Sequence, residues 1–442
     1  MNVRELAFES IKKIIAGGAY SNLVVASAIK KQHLPEQERR FFTELVYGVT
    51  RQQNYLDWLI GKVSRPGMKI QLQCRIILYL GLYQIFCLNG IPESAACNES
   101  VKLAKKYGNP GMAKFVNAVL RSSIRRRQEL QIPSEEEDIA LHLALVYHQP
   151  LWLIKKWIRE YGVKDAKCMG QYFDEKPPLC VRVNTLKTDV HSVKESLTKK
   201  GILAEEGKHA PEALYLKNVP NLQEVSEIQE GFIQVQEEVS MLAVQALDPQ
   251  PGEIIMDMCA APGGKTTHIA ARMQNQGKVY AFDIHEHKLA LIRENAMRLG
   301  ISIIDAAQGD ASSMMETFKE KADRVLIDAP CSGLGILRRK PDLRWRRTEK
   351  DLKNFPPVQL AILEAGASYV KPGGVLVYST CTMNAAENEE VVRTFLNAHP
   401  EYALADMSGL LPDLVQKEKM LQLLPQVHQM DGFFIARLQK IN

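Results

Sequence analysis

From Gln250-Pro251-Gly252 to the end of the 442-residue chain, short apolar runs alternate with helical stretches: IIMDM, KVYAFDI, SIIDAAQ, DRVLIDAP, GGVLVYST and finally FFIARLQ. Strands that alternate with helices pair in parallel, because each parallel connection must cross over the sheet and a helix is the usual crossover. The pattern predicts an α/β doubly wound, Rossmann-like sheet over residues 241–442. Such sheets take ligands at the carboxyl ends of their strands. Asp257, Asp283, Asp310, Asp328 and Cys381 all fall at or just beyond a predicted strand end.

Between the first of these strands and its helix lies CAAPGGK: Cys259, Ala260, Ala261, Pro262, Gly263, Gly264 and Lys265. The two glycines permit a tight turn and a close backbone approach, and the helix that follows offers free N–H groups at the positive end of its dipole. The loop suits a carboxylate or a phosphate. A P-loop would need glycine where Cys259 stands, and the dinucleotide signature G-x-G-x-x-G is missing, so ATP and NAD are disfavoured. Asp283, at the end of the second strand, is placed to accept from the hydroxyls of a ribose, and Asp310, after the third, from an adenine amino group. Taken singly each aspartate is an ordinary turn or cap residue; three at successive strand ends point to an adenosine cofactor.

The rest of the chain is organised differently. Its length predicts two or three domains. Residues 1–133 carry apolar positions at helical spacing, as in Leu56, Leu59, Ile60 and Val63, and predict an all-α bundle. The longest apolar run, Ile76 to Leu88, contains Gln84 and is too short for a bilayer, so it reads as a buried helix and no membrane role is expected. Residues 1–127 hold 20 Lys and Arg against 8 Asp and Glu, a balance of +12 on a chain whose total is +5. A basic domain on a near-neutral chain is what phosphate-backbone binding requires. Residues 134–240 read as linker helices, opened by Pro133-Ser134 and the acidic run Glu135 to Asp138, followed by a small α/β module with strands in LCVRVNT, ALYLK and FIQVQ.

The eight cysteines form no C-x2-C pair, which predicts free thiols and no metal site; the scattered charges of MNVRELAFESIKKII leave no room for a secretory h-region, so a cytoplasmic location is expected. Cys74, Cys87, Cys97, Cys168 and Cys180 read as buried small apolar residues, and His268, His285 and His287 as surface or capping residues.

Two pieces of the bundle, Ala95 to Gly108 and Lys114 to Arg121 (KFVNAVLR), resemble the NusB-like RNA-binding domain. CAAPGGK, DAPCSG (Asp328 to Gly333) and YSTCT (Tyr378 to Thr382) resemble, in this order, the motifs of S-adenosylmethionine-dependent RNA cytosine-5 methyltransferases. Together the two resemblances cover nearly the whole chain and point to the bacterial branch that acts on 16S, small-subunit ribosomal RNA. They imply S-adenosylmethionine as cofactor, held by Cys259 to Lys265, Asp283, Lys288, Asp310 and Asp328. They also imply Cys381 as the nucleophile that adds to carbon 6 of the base and Cys331 as the cysteine that assists release; the chemistry needs an acid near ring nitrogen 3, and Asp328, three residues from Cys331, is placed to supply it. Residue chemistry alone does not order the two cysteines, and Pro330-Cys331 by itself would suggest the opposite assignment. Cys259 is expected to pack in the loop without a covalent duty. Downstream, ILRRKPDLRWRR reads as a loop that offers Arg338, Arg339, Lys340, Arg344 and Arg346 to phosphates and Trp345 to a base. The expected partner is small-subunit rRNA, protein-free or in an early particle, and the expected state a monomer. Transfer RNA as substrate, and a catalytically inactive ribosome-assembly factor, are the competing readings.

Overall fold

Asn2, Asn109 and Ser134 each set a helix start by accepting from an otherwise orphaned N–H group. The computed structural model describes residues 2–219, 221–414 and 419–441. Asn2 accepts from Glu5 N (2.9 Å) at the head of α1 (Val3–Ile15), with Lys12 and Lys13 in its last turn. There follow α2 (Ser21–Gln32), α3 (Glu36–Arg51), α4 (Gln53–Val63), α5 (Leu72–Phe86), α6 (Glu93–Tyr107) and α7 (Pro110–Arg125). Asn109 caps α7, and Pro110 occupies its first turn, where a missing N–H costs nothing. Most of the apolar run Ile76 to Leu88 lies in α5, which is buried on all sides against Phe8, Phe42, Leu45 and Val116. Among the described residues no helix is long and apolar enough to cross a membrane.

Pro133-Ser134 is a helix start: Ser134 and Glu137 form a reciprocal capping box on α8 (Glu135–Val146), and α9 (Leu151–Asp174) follows. Both helices belong to a first compact unit, Met1–Lys176, which also takes in Leu337–Glu349.

The second unit comprises Pro177–Ile336 and Lys350–Asn442. It opens with β1 (Leu179–Val183), α10 (Val190–Lys199), β2 (Leu203–Glu206), β3 (Ala213–Lys217), α11 (Ser226–Gln229) and β4 (Ile233–Val235). The four strands form an antiparallel sheet in the order β2-β3-β1-β4, over a core that includes Val181, Val183, Leu197, Leu214 and Ile233. After α12 (Glu238–Leu247) come β5 (Ile254–Asp257), α13 (Gly264–Arg272), β6 (Lys278–Asp283), α14 (Glu286–Leu299), β7 (Ile304–Gln308) and β8 (Ala322–Asp328). The chain then contributes the short helix α15 (Leu343–Arg346) to the first unit and returns as α16 (Phe355–Tyr369), β9 (Val370–Thr380), α17 (Glu389–Ala398), β10 (Tyr402–Leu404), β11 (Met420–Leu423), α18 (Pro425–His428) and β12 (Phe433–Lys440).

The large sheet runs β10-β12-β9-β8-β5-β6-β7, with β11 also paired to β12. Its centre, from β9 to β7, is parallel as the alternation predicts. FFIARLQ corrects the pattern: β12 lies antiparallel to β9 and to β11. The connection from Leu424 to Gly432 is too short for a parallel crossover, which needs a dozen residues or more. From β5 the chain winds outward through β6 and β7, then resumes with β8 on the other side of β5. That switch of direction opens a crevice beyond the carboxyl ends of β5 and β8.

Candidate active site

Asp257, the last residue of β5, is buried and accepts from Thr266 Oγ1 in the first turn of α13 (2.7 Å). Burial, with a smaller contribution from the charge of Asp328, pushes its carboxyl up to about 7 against the hydrogen bond from Thr266. Its other oxygen, Oδ1, is buried with no hydrogen-bond partner among the described residues. The loop from β5 to α13 is tied to the neighbouring strand by Ala260 N donating to Phe282 O (2.8 Å). Gly263 has φ +98°, and a Cβ there would meet Ile292 Cα at 3.1 Å, so a side chain is excluded by conformation and by space.

Asp283 ends β6 and bridges two turns: Oδ1 accepts from His285 N (2.9 Å) and Oδ2 from Ala261 N (3.3 Å). Each oxygen keeps a lone pair for a further donor. Lys288 is half-buried on α14. Asp310, exposed and two residues beyond β7, folds back on Ser312 N and Oγ, which hold its carboxyl below the usual range. A cleft of about 200 Å³ is lined by Gln236, Asp257, Cys259, Pro262, Lys265 and Asp328 among others; Asp283, Lys288 and Asp310 lie outside that lining.

Lys265 Nζ donates to Asp328 Oδ2 (2.8 Å) and lies 5.5 Å from the centre of the Phe433 ring. Burial alone would lower its pKa; the charge and hydrogen bond of Asp328 outweigh it, and the ammonium form is favoured further by Cys381 and Asp257. Ser379 Oγ donates to the other carboxyl oxygen of Asp328 (3.0 Å). Cys331, beyond β8, and Cys381, one residue beyond β9, bring their sulfurs to 3.3 Å, and both side chains are half-buried. The hydrogen bond to Cys381, then burial, then the charges of Cys381, Glu387 and Asp328, push the Cys331 thiol well up. The Cys259 thiol is also pushed up, by burial and by the nearby carboxyl groups of Asp257 and Asp328.

The two cysteine loops are stapled by Glu387, which is fully buried. Ser332 Oγ (2.6 Å) and Asn384 Nδ2 (3.1 Å) donate to its Oε1, and Ser332 N (2.8 Å) and Gln359 Nε2 (3.1 Å) donate to its Oε2. Gly335 N donates to Cys381 O (3.0 Å), and a Cβ at Gly335 would fall 1.9 Å from Gly432 O, so only glycine fits this crossing of loops. Neither Glu387 nor Gln359 was singled out by sequence. Glu387 stands in AENEE, where its neighbours have the same charge and only the fold distinguishes it.

The basic segment after Cys331 departs from expectation. Leu337–Glu349 belongs to the helical unit, where its donors meet the carbonyls that helix ends and turns leave unpaired. Arg344 is buried and donates to His148 O (2.7 Å), Phe173 O (3.3 Å) and Leu337 O (3.1 Å). Trp345 Nε1 donates to Thr50 O (2.6 Å), and Arg346 donates to Gly18 O (2.6 Å) and Ala19 O and pairs with Asp342. Arg344 is thus buried with its guanidinium committed to carbonyls of the helical unit, and Arg346 and Trp345 are half-buried with donors committed there. Arg338 stacks 3.9 Å over Tyr172, and Arg339 and Lys340 are half-buried. Two smaller corrections follow: His268 is neither a surface nor a capping residue but is buried against Glu212, and Cys168 is exposed. Among the described residues no group of three or more His, Cys, Asp or Glu is placed to hold a metal ion.

Comparison with known proteins matches residues 244–439 to the family described as 16S rRNA methyltransferase RsmB/F, residues 1–125 to the NusB family, and residues 149–223 to an RsmF/B-like ferredoxin-like domain. A probable ribosomal RNA small subunit methyltransferase B of Bacillus subtilis (strain 168) is 40% identical over 99% of both chains. One from Synechocystis sp. is 39% identical over 100% of both, and a ribosomal RNA small subunit methyltransferase B of Escherichia coli O1:K1 is 32% identical over 99% of both. Among solved structures, that of PH0851 superposes with a TM-score of 0.85 at 29% identity, covering 100% of this chain and 99% of its own. NSun6 from Pyrococcus horikoshii, solved with SFG, superposes with a TM-score of 0.60 at 25% identity, covering 66% of this chain and 98% of its own.

Proposed function

The chain belongs to the 16S rRNA methyltransferase RsmB/F family, and on that premise we propose that it methylates carbon 5 of a cytosine in small-subunit rRNA through a covalent bond from Cys381 to carbon 6. S-adenosylmethionine, when bound, supplies the electrophilic methyl group. Its fit rests on the glycine-restricted loop from Cys259 to Lys265 and on the unfilled oxygen of Asp257 at the cleft, with Asp283, Lys288 and Asp310 as its further contacts.

Carbon 5 of cytosine is a poor nucleophile until a thiolate adds at carbon 6 and converts the ring to an enamine. The polarity around the two sulfurs carries the assignment. Cys381 has the Lys265 ammonium as an attractive neighbour, and the Cys331 sulfur lies 3.3 Å from it as a thiol donor. A thiolate at 381 is therefore stabilised by a cation and by a thiol donor, so Cys381 attacks. Addition places negative charge on ring nitrogen 3, and the Lys265–Asp328 pair meets it with the proton shared between Nζ and the carboxyl. In the release step carbon 5 gives its proton to a water molecule, the carbon 6–sulfur bond breaks to restore the 5,6 double bond, ring nitrogen 3 returns its proton to the Lys265–Asp328 pair, and the Cys331 thiol stabilises the departing Cys381 thiolate through the bond it already makes. Arg338, Arg339 and Lys340 contact RNA phosphates.

The test incubates the wild-type, Cys381→Ser and Cys331→Ser proteins with labelled S-adenosylmethionine and protein-free small-subunit RNA. Label transfer, the methylated ring atom and denaturation-resistant protein–RNA adducts are followed. Cys381→Ser is expected to be inert, and Cys331→Ser to accumulate adduct. The reverse pattern exchanges the two cysteines, and transfer to transfer RNA alone overturns the substrate.

A further inference from the structure

Arg182 of β1 is almost wholly buried, and two of its side-chain partners, Gln236 and Gly264, line the cleft. Nη1 donates to Gln236 Oε1 (2.6 Å) and to Gly264 O (2.9 Å), and Nη2 donates to Thr267 Oγ1 (3.2 Å). Gly264, within the cofactor loop, and Thr267 belong to the first turn of α13. Gln236 follows β4, is itself buried, and is held to β1 by its backbone N donating to Cys180 O (3.3 Å). The small antiparallel sheet thus supplies part of the wall of the methyltransferase cleft, with Val235, Gln236 and Glu237 among the lining residues.

A guanidinium only donates, so the carboxamide of Gln236 must turn its oxygen to Arg182 and its NH2 the other way. Burial pulls the pKa of Arg182 down only to about 9, so the lock is cationic at neutral pH. The freed end is Nε2, a buried donor without a hydrogen-bond partner among the described residues, on a side chain that lines the same cleft as Lys265 and Asp328. Buried donors are seldom left unpaired unless a ligand or water completes them.

Resting on the reading of the cleft as the methyl-transfer site, we infer that Gln236 Nε2 is a ligand-binding group that donates to an acceptor oxygen in the cleft, and that Arg182 is the positioning residue that aims it. Two oxygens have the right chemistry: the carbonyl of the cytosine ring and the carboxylate of the methyl donor.

The experiment uses the full chain as wild type, Gln236→Glu and Gln236→Ala. Glutamate keeps the shape and the contact with Arg182 but turns an oxygen where Nε2 donates. Three quantities are read: the Kd of S-adenosylmethionine by calorimetry, kcat/KM for small-subunit RNA, and the position of the methyl group. If the base is the acceptor, Gln236→Glu lowers kcat/KM for RNA by roughly tenfold or more with the cofactor Kd unchanged. If the cofactor is the acceptor, its Kd rises by a similar factor in the absence of RNA. Either result supports the inference; values within twofold of wild type in both substitutions overturn it. A wild-type methyl group on a different ring atom overturns the cytosine-5 reading while leaving the calorimetric arm to judge Gln236. In a double-mutant cycle with Arg182→Met, the effect of Gln236→Ala on binding or kcat/KM is expected to shrink, because an unlocked amide no longer aims its donor. A merely structural Arg182 would change the Tm and leave that effect intact. Should Arg182→Met fail to fold, the Gln236 substitutions decide alone.

Discussion

Asp257 and Asp328 end adjacent strands and meet opposite electrostatic conditions. Asp328 has the Lys265 ammonium at 2.8 Å, while Asp257 has a hydroxyl donor and burial, which pushes its carboxyl up to about 7. Between the ordinary carboxyl range, near 4, and that raised value, the folded state holds a proton that the unfolded chain releases. The contribution of this group to stability is therefore fully present below about pH 4 and is lost as pH rises through 7, a change of roughly a few kcal/mol for so complete a burial. Asp257→Asn keeps an acceptor for Thr266 and cannot ionise. Without ligand, the wild type is expected to lose Tm relative to Asp257→Asn between about pH 5 and pH 8. Parallel Tm profiles for the two proteins would show that Asp257 ionises normally. The aspartates at strand ends, the glycine loop and both cysteines were legible because local spacing reveals them. Glu387, Arg182 and Gln236 were not, because their partners lie some 55, 82 and 54 residues away and only the folded chain brings them together.

At the scale of elements, the proposed active site is two loops that leave neighbouring parallel strands and are held at one separation. Glu387 performs the holding, with four donors converging on two oxygens in a site that water does not reach. Glu387→Gln replaces an acceptor by an NH2 that faces two of those donors, which leaves them unpaired and pushes the loops apart. A displacement of about 1 Å at a reacting pair is enough to lower a rate by roughly a hundredfold. The substitution is expected to reduce kcat for methyl transfer on that order, with little change in the Kd of S-adenosylmethionine, since the cofactor loop is tied down separately through Ala260 and Phe282. An unchanged kcat measured by single turnover would mean that the loops hold their spacing without Glu387. Alternation of apolar and helical segments revealed the parallel centre of the sheet, where each strand is set by its own crossover. It failed at β12, whose direction is set by a short return from β11 and not by its own residues.

At the scale of the whole molecule, the order of residues along the chain differs from the membership of the two units. The chain leaves the second unit after Ile336, spends Leu337–Glu349 in the helical unit, and returns at Lys350. Six basic residues that follow Cys331 in sequence suggest an RNA loop. The fold gives Arg344 and Arg346, together with the Trp345 indole, a different task, because helices that end inside a packed unit leave carbonyls that need donors. Arg344 serves three of them from a buried position. Arg344→Ala leaves those carbonyls without a donor, at about 1 to 3 kcal/mol for each that water does not reach. Lysine, a single point donor, does not restore a planar fork that reaches three acceptors. Thermal unfolding of Arg344→Ala and Arg344→Lys is therefore expected to show a lowered first transition in both, with the salt dependence of RNA binding unchanged. An RNA-contacting Arg344 makes the opposite prediction: an unaltered Tm, weaker binding, and a smaller slope of log affinity against log salt, because one fewer phosphate is neutralised. The same reasoning extends to a fragment ending at Lys176. It carries every helix from α1 to α9 but lacks the segment that caps their ends, so it should melt at lower temperature and less cooperatively than the same unit in the full chain.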